Sequence, residues 1–285
     1  MSDRPSVRHF RTLFLSDFHL GCRASRADLI LDFLRHHDAD TYYLVGDIVD
    51  GWRLKRHWYW PAQHDEVVRT LLRKARLGKQ VVYLPGNHDE FLREFVGSSF
   101  GGIEVRDRLI HETADGQRLL VMHGDEFDIV ARRAPWLTPI GHGFAYATLK
   151  VKRLLERLRI GLGLPYSTFS CWAKSKAKLA VNFVADFEKE LVGEARRVGV
   201  DGVVCGHIHH ARIIDLPDVR YINTGDWVEN CTAVAENHDG TIEMITWPLV
   251  RASPAPAAEE AEDWVVPPAR RWSRRWFRAR RWTRG

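Results

Sequence analysis

The sequence predicts an α/β (α+β) fold, a two-sheet β-sandwich flanked by helices and carrying an α-helical lid insertion. Three observations predict it. Short apolar runs alternate with amphipathic helices through the early part of the chain, as in parallel βαβ units. After residue 200 come closely spaced short strands, with a hairpin turn at Asp239-Gly240, as in antiparallel meanders. Between Asp128 and Val200 the strand pattern stops and helical spacing takes over.

The elements follow in order. Thr12–Ser16 is a short apolar run ending in a polar loop, as expected of a buried strand. Arg26–His37 has helical spacing, and Thr41–Val45 is the next strand. Glu66–Leu77 reads as a helix closed by Gly78, ahead of strand Gln80–Leu84. Further strands are expected at Leu119–His123, Gly202–Cys205, Arg212–Leu216, Val219–Asn223, Cys231–Glu236 and Thr241–Trp247. In the insertion, Phe144, Ala147, Val151, Leu154, Leu155 and Leu158 follow helical spacing, with Lys150, Lys152, Arg153 and Arg157 on the other faces. Gly161 and Gly163 break the chain before Pro165, and a second helix runs from about Phe169 to Val198. It carries Leu179, Phe183, Phe187 and Leu191 on one side. The expected division is therefore a core of residues 1–130 and 200–250, a helical lid of 131–199, a linker of 251–263 and a basic tail of 264–285.

At 285 residues the chain buries a full core without covalent staples. Its four cysteines (Cys22, Cys171, Cys205 and Cys231) stand far apart with no CxxC pair. That excludes a disulfide framework or a thiolate zinc site and points to a reducing cytoplasm. The polar start to Arg11 has no signal-peptide pattern, and no apolar run approaches the ~20 residues that span a bilayer. The formal charge of +5 hides an asymmetry. Residues 131–189 hold eleven Lys/Arg against Glu156, Asp186 and Glu188, and residues 270–285 hold eight arginines and no acid. An acidic body thus carries two basic appendages.

Five segments repeat one pattern, an apolar strand followed by a polar cluster. They are Ser16-Asp17-Phe18-His19, Gly46-Asp47-Ile48-Val49-Asp50, Gly86-Asn87-His88-Asp89, His123-Gly124-Asp125 and Gly206-His207-Ile208-His209. Strand ends of α/β sheets converge on one edge, so these loops can share one crevice. Singly, each is readily a turn or a helix cap; the five in this order are not. Carboxylate, imidazole and amide donors suit borderline-hard divalent ions such as Mn²⁺, Fe²⁺ or Zn²⁺. Asp-x-His and His-x-His in an extended segment place both side chains on one side. The adjoining glycines permit tight turns and close backbone approach.

These motifs resemble those of the calcineurin-like metallophosphoesterases, over roughly residues 12–248. The resemblance implies that Asp17, His19 and His209 hold one cation and that Asn87, His123 and His207 hold another, with Asp47 bridging. It implies a two-metal hydrolase in which paired cations activate water and clamp both oxygens of an in-line attack on phosphorus. His88 is the candidate proton donor to the leaving oxygen, and Asp89 the residue expected to orient it. Ser-Asp-Phe-His-Leu-Gly, Gly-Asp-Ile-Val-Asp-Gly-Trp, His-Gly-Asp-Glu-Phe-Asp and Asn-Thr-Gly-Asp-Trp-Val-Glu resemble one branch, the UDP-2,3-diacylglucosamine pyrophosphatase group of lipid A synthesis. That branch implies Mn²⁺, a nucleotide-linked glycolipid substrate and a helical lid. His88 is a departure, since the well-known members carry Arg there.

The lid cations Lys150, Lys152, Arg153 and Arg157 offer contacts for a phosphorylated head group, and Trp52, Trp58, Tyr59 and Trp60 a nucleotide or acyl pocket, or core packing. In the tail, Trp272, Trp276, Phe277 and Trp282 interleave with arginines, a pattern suited to an anionic membrane surface. Nucleic acid is the rival partner for such a tail. The resulting expectation is a peripheral enzyme on the inner face of the cytoplasmic membrane. The rival readings are a soluble phosphodiesterase or phosphatase acting on nucleotides or phosphoproteins, and a membrane-bound scaffold with a non-catalytic site.

Overall fold

The computed structural model describes residues 7–128 and 167–247, with side chains for 7–128 and 183–247. Strand β1 (Arg8–Leu15) runs at the centre of the first sheet, parallel to β2 (His37–Val45), with Phe14 opposite Tyr43 and Leu15 opposite Leu44. Strand β3 (Gln80–Leu84) continues the parallel set, followed by the short edge strands β5 (Ile103–Val105) and β4 (Ser99–Phe100). On the other side of β1 lie β11 (Thr232–Glu236) and β12 (Ile242–Thr246), both antiparallel to their neighbours. The second sheet has the order β6 (Leu109–Glu112), β7 (Arg118–Val121), β8 (Gly202–Cys205), β10 (Arg220–Asn223), β9 (Arg212–Asp215).

Alternation along each strand sorts the core into three layers. Phe14, Tyr43, Val45, Val82 and Leu84 meet Leu119, Val121, Val204 and Ile222 between the sheets. Leu13, Leu15, Leu44, Val81 and Tyr83 turn the other way, onto α1 (Ala27–His36) and α3 (Ala62–Arg76). Leu120, Met122, Val203 and Cys205 turn onto Phe187, Leu191 and Ala195 of α4 (Ser167–Val198). With both faces of each central strand covered, these strands read in sequence as unbroken apolar runs. A buried polar cluster joins the sheets where packing alone does not fix register. Glu236 of β11 is fully buried, and its carboxylate accepts from Arg11 at 2.5 Å, the Ala114 N–H at 2.8 Å and His111 of β6 at 2.8 Å.

The long elements fall close to where the pattern placed them, and the differences have local causes. Strand β2 begins at His37 directly after α1, four residues before the expected Thr41. Its polar start pairs with the beginning of β1, Arg8 opposite His37. Helix α3 starts at Ala62, after Pro61, rather than at Glu66. Strands β4 to β6 and the short helix α2 (Gly51–Arg56) were not legible, because two to six residues hold too few repeats to set a period. Helix α4 matches the second insertion helix, with Phe187 and Leu191 buried as expected. The Phe144–Leu158 segment, the linker and the tail lie outside the described residues. Among the described residues no helix is long and apolar enough to cross a membrane.

Gly193 sits on an exposed face of α4, where an added Cβ would meet nothing within 4 Å among the described residues. Glycine there retains backbone entropy in the unfolded chain for no steric gain. Gly193→Ala is expected to stabilise the fold by about 0.5–1 kcal/mol. Thermal denaturation should show a rise of roughly 2 °C.

Candidate metal centre

All five polar clusters follow directly on strands β1, β2, β3, β7 and β8, and their loops are tied to one another through backbone. The Asp17 N–H donates to Gly46 O at 3.0 Å, the His19 N–H to Asp47 O at 2.9 Å and the Gly51 N–H to His88 O at 3.0 Å. On the second sheet the Gly206 N–H donates to His123 O at 3.2 Å, and across the cleft the His207 N–H donates to Asp17 Oδ2 at 3.2 Å. The loops therefore form a single cross-linked rim at one edge of the sandwich.

Asp17, His19, Asp47, His207 and His209 all have left-handed backbone, with φ between 49° and 71°. Cys231 is the only other non-glycine residue with positive φ among the described residues. This corrects the expected geometry. Asp-x-His and His-x-His converge because alternate residues turn into the left-handed region, not because the segment is an extended strand. Such conformations cost about 1–3 kcal/mol each and persist only where surrounding bonds over-determine them.

The side chains meet in three overlapping clusters: Asp17, His19 and His209; His19, Asp47 and His88; and Asp47, His123 and His207. His19 Nε2 lies 3.2 Å from His209 Nε2 and 3.9 Å from Asp47 Oδ2. His209 Nε2 lies 3.2 Å from Asp17 Oδ1, and His123 Nε2 lies 3.5 Å from Asp47 Oδ2. Asn87 Oδ1 lies 3.0 Å from His207 Nδ1. All seven expected ligand positions thus come together, with Asp47 common to two of the clusters.

Several of these groups suit a cation better than one another. His123 Nδ1 lies 2.8 Å from Val45 O and donates to it, so in the neutral, cation-binding form of the ring Nε2 is a lone pair aimed inward. That Nε2, and Asp17 Oδ1, are buried and have no hydrogen-bond partner among the described residues. His207 Nε2–H donates to Asp128 Oδ2 at 3.1 Å, so in the neutral ring Nδ1 faces the Asn87 carbonyl oxygen as one acceptor against another. Carboxylate, imidazole and amide donors with their outer nitrogens held in this way fit divalent cations. The described residues are those of a dinuclear site.

Glycine makes this crowding possible. A Cβ at Gly86 would lie 2.4 Å from Asp47 Oδ1 and 2.6 Å from His123 Nε2, and one at Gly206 would lie 2.5 Å from Asp17 Oδ2.

Three supporting residues carried no assigned role in the sequence reading. Asp50 accepts from His88 Nδ1–H at 3.1 Å, and caps α2 by accepting from the Arg53 N–H at 3.0 Å. Asp128 holds His207. Asp226, fully buried, accepts from the Val228, Glu229 and Asn230 N–H groups, while Asn230 Nδ2 donates to His209 O at 3.0 Å. Asp50 and Asp128 sit within the quoted motifs Gly-Asp-Ile-Val-Asp and His-Gly-Asp-Glu-Phe-Asp, so a second carboxylate two or more residues beyond a ligand was the available signal.

Asp89 is a correction. It was expected to orient His88, but Asp50 does so. The Asp89 carboxylate instead accepts from the Asp47, Ile48, Val49 and Gly86 N–H groups, at 3.3, 2.8, 3.2 and 2.5 Å, and from Tyr83 OH at 2.5 Å. Trp52 packs tilted against His88, with ring centroids 4.4 Å apart and planes 33° apart. Trp60 packs on the core, whereas Trp58 stands 72% exposed. Lys150, Lys152, Arg153, Arg157, Trp272, Trp276, Phe277 and Trp282 lie outside the described residues.

Burial opposes charge on these imidazoles, but the buried carboxylates outweigh it at two of them. Asp47, with Asp17 and Asp125 behind it, pushes His123 up to about 10, and Asp17 with Asp226 and Asp47 pushes His209 up to about 9. At His19 burial wins, aided by His209 and His88, and the pKa falls to about 4.

Two outcomes follow from this geometry. Gly86→Ala should leave the secondary structure intact by circular dichroism but reduce bound metal, measured by elemental analysis, to less than half of the parent value. Loading cations into the metal-free chain at neutral pH should expel about two protons, from His123 and His209, because ligands bind in their neutral form. Affinity should therefore rise with pH towards 9–10. Calorimetry in buffers of different ionisation enthalpy reads the protons directly, and a buffer-independent heat would sink this assignment.

Residues 10–211 match the family described as Calcineurin-like phosphoesterase. The UDP-2,3-diacylglucosamine hydrolase of Chromohalobacter salexigens is 27% identical over 235 residues, covering 76% of this chain and 88% of that protein. The protein of the same name from Actinobacillus succinogenes is 27% identical over 244 residues, covering 78% of this chain and 94% of its own. Among solved structures, the phosphoesterase Yfce from E. coli aligns over 83% of this chain and 99% of its own, with 14% identity and a TM-score of 0.39. With a family match that spans most of its length and a buried His/Asp cluster, the chain belongs to the calcineurin-like phosphoesterases, as a metal-dependent hydrolase.

Proposed function

We propose that this phosphoesterase cleaves the pyrophosphate of UDP-2,3-diacylglucosamine, giving UMP and 2,3-diacylglucosamine 1-phosphate. The observation that carries the substrate is the likeness to the two UDP-2,3-diacylglucosamine hydrolases, which extends over 88% and 94% of their lengths. Asp17, His19 and His209 would hold one cation and Asn87, His123 and His207 the other, with Asp47 bridging. The donor set suits Mn²⁺, with Fe²⁺ or Zn²⁺ as alternatives. Bound cations supply Lewis-acid polarisation of the phosphoryl group and lower the pKa of water.

The chain's own residues supply the rest. Burial works against a charged His88, but its hydrogen bond to Asp50 and the nearby Asp47 carboxylate raise its pKa above the usual histidine value. The ring so held keeps a proton for the leaving oxygen. Trp52, packed against that ring, limits its orientation and offers an apolar wall to substrate. Lys150, Lys152, Arg153 and Arg157 of the insertion are assigned to the substrate phosphates. The tail, through Trp272, Trp276, Phe277 and Trp282, is assigned to an anionic membrane surface, which places the enzyme on the inner face of the cytoplasmic membrane.

Hydrolysis of UDP-2,3-diacylglucosamine with Mn²⁺ in detergent micelles, run beside bis-p-nitrophenyl phosphate, tests this reading. UMP release far faster than generic turnover is the expected result. Turnover of the generic diester alone would move the protein to a soluble phosphodiesterase role. Asp47→Ala should lower the rate roughly a thousandfold or more. Full activity in that variant would remove the bridging carboxylate from the mechanism.

A further inference from the structure

From Gly51 to His64 the chain carries Arg53, Lys55 and Arg56 and no acidic residue. Arg53 is committed to Asp50, with Nε 3.0 Å from Oδ2. Lys55 and Arg56 are exposed and have no acidic partner among the described residues. Arg23 joins them from the neighbouring loop, its guanidinium 4.9 Å above the Tyr59 ring. Beside these cations Trp58 stands 72% exposed. It does not hang from a loose loop. Its ring lies 6.3 Å from Trp60, which packs on the core and meets His64 edge-on at 5.5 Å, and His64 in turn accepts from the Gly21 N–H at 2.9 Å.

We propose that α2 and the bend at Trp58 form a docking face for an anionic lipid surface. An indole with an apolar body and a polar N–H prefers the membrane interface, and unpaired Lys and Arg next to it attract anionic head groups. Tyr59 and Trp60 turn inward, so a single ring projects, which suits insertion between head groups better than a platform for stacked bases. Among the described residues, the other exposed aromatic rings lack this charge match. Phe91, Phe95 and Phe100 are 41%, 42% and 48% exposed, but Glu90, Glu94 and Glu104 flank them. The arginines there are taken, Arg93 by Asp125 at 2.7 Å and Arg106 by Glu104 at 3.0 Å.

The face stands next to the metal centre. Asp50 caps α2 and holds His88, and a helix of six residues is about 9 Å long. Docking through Lys55, Arg56 and Trp58 would therefore present the cleft to the lipid surface. This goes beyond the substrate reading and does not rest on it.

Co-sedimentation of the full chain with phosphatidylcholine vesicles, with and without phosphatidylglycerol, tests the proposal without any catalytic readout. The parent chain should bind the anionic vesicles and not the neutral ones. Each cation near such a surface is worth about fivefold in partitioning, so Lys55→Gln with Arg56→Gln should weaken binding about 30-fold. Trp58→Ala should weaken it as well, while Phe100→Ser should leave it unchanged. Turnover of bis-p-nitrophenyl phosphate by all three variants should match the parent, which shows that each is folded. Undiminished binding by the Lys55/Arg56 variant, which would assign attachment to the tail alone, overturns the proposal, as does a parent chain that ignores anionic vesicles.

Discussion

The geometry of the metal centre depends on one buried carboxylate. Asp89 is fully inaccessible and gathers four backbone N–H groups and the Tyr83 hydroxyl. Three of those N–H groups belong to Asp47, Ile48 and Val49, and the fourth to Gly86, so one side chain clamps the loop after β2 to the loop after β3. With the clamp in place Asp47 keeps its left-handed backbone, and its Oδ1 in turn accepts from the His88 N–H at 2.8 Å. Burial, with Asp47 close by, pushes Asp89 up to about 6, and the donors around it hold it as the anion at neutral pH.

The centre built on this clamp is stable for the fold's needs only in part. Five ligand residues sit in a backbone region that side chains disfavour, and Asp17 and Asp47 are buried beside each other and beside five histidines. Each feature alone is destabilising. The layers that surround them are correspondingly dense, with complete apolar packing on both faces of β1, β2 and β3 and the Glu236 cluster fastening the two sheets. Strain and charge are concentrated at one edge, and cohesion is supplied by the rest. Such a division is expected where charge must be held ready for cations rather than neutralised by protein groups.

Positioning of His88 shows how the surface follows from the same arrangement. The Asp50 carboxylate that orients its ring also starts α2, so the direction of that helix is set by the active site itself. Where α2 ends, the chain bends through His57 to Trp60. Trp60 returns to the core and Trp58 is left outside. The exposed aromatic is thus a consequence of packing its neighbour.

Much was legible in the sequence because it depends on local pattern. The apolar runs of β1, β2, β3, β7 and β8 and the periodicity of α4 are set by burial on two faces or one, and each ligand lies within a few residues of a strand end. The clustering of Asp17, His19, Asp47, Asn87, His123, His207 and His209 could be read because the strand ends they follow, in both packed sheets, share one edge of the sandwich. The roles of Asp89 and Asp50 could not be read. In sequence they are two carboxylates near a histidine, and which one holds His88 is decided by how two loops from different strands fold over each other. The left-handed turns were equally hidden, since Asp-x-His has the same letters whether extended or turned. Local chemistry determined which residues are available as ligands; long-range backbone hydrogen bonds, which leave no mark on composition or period, decided how each one points.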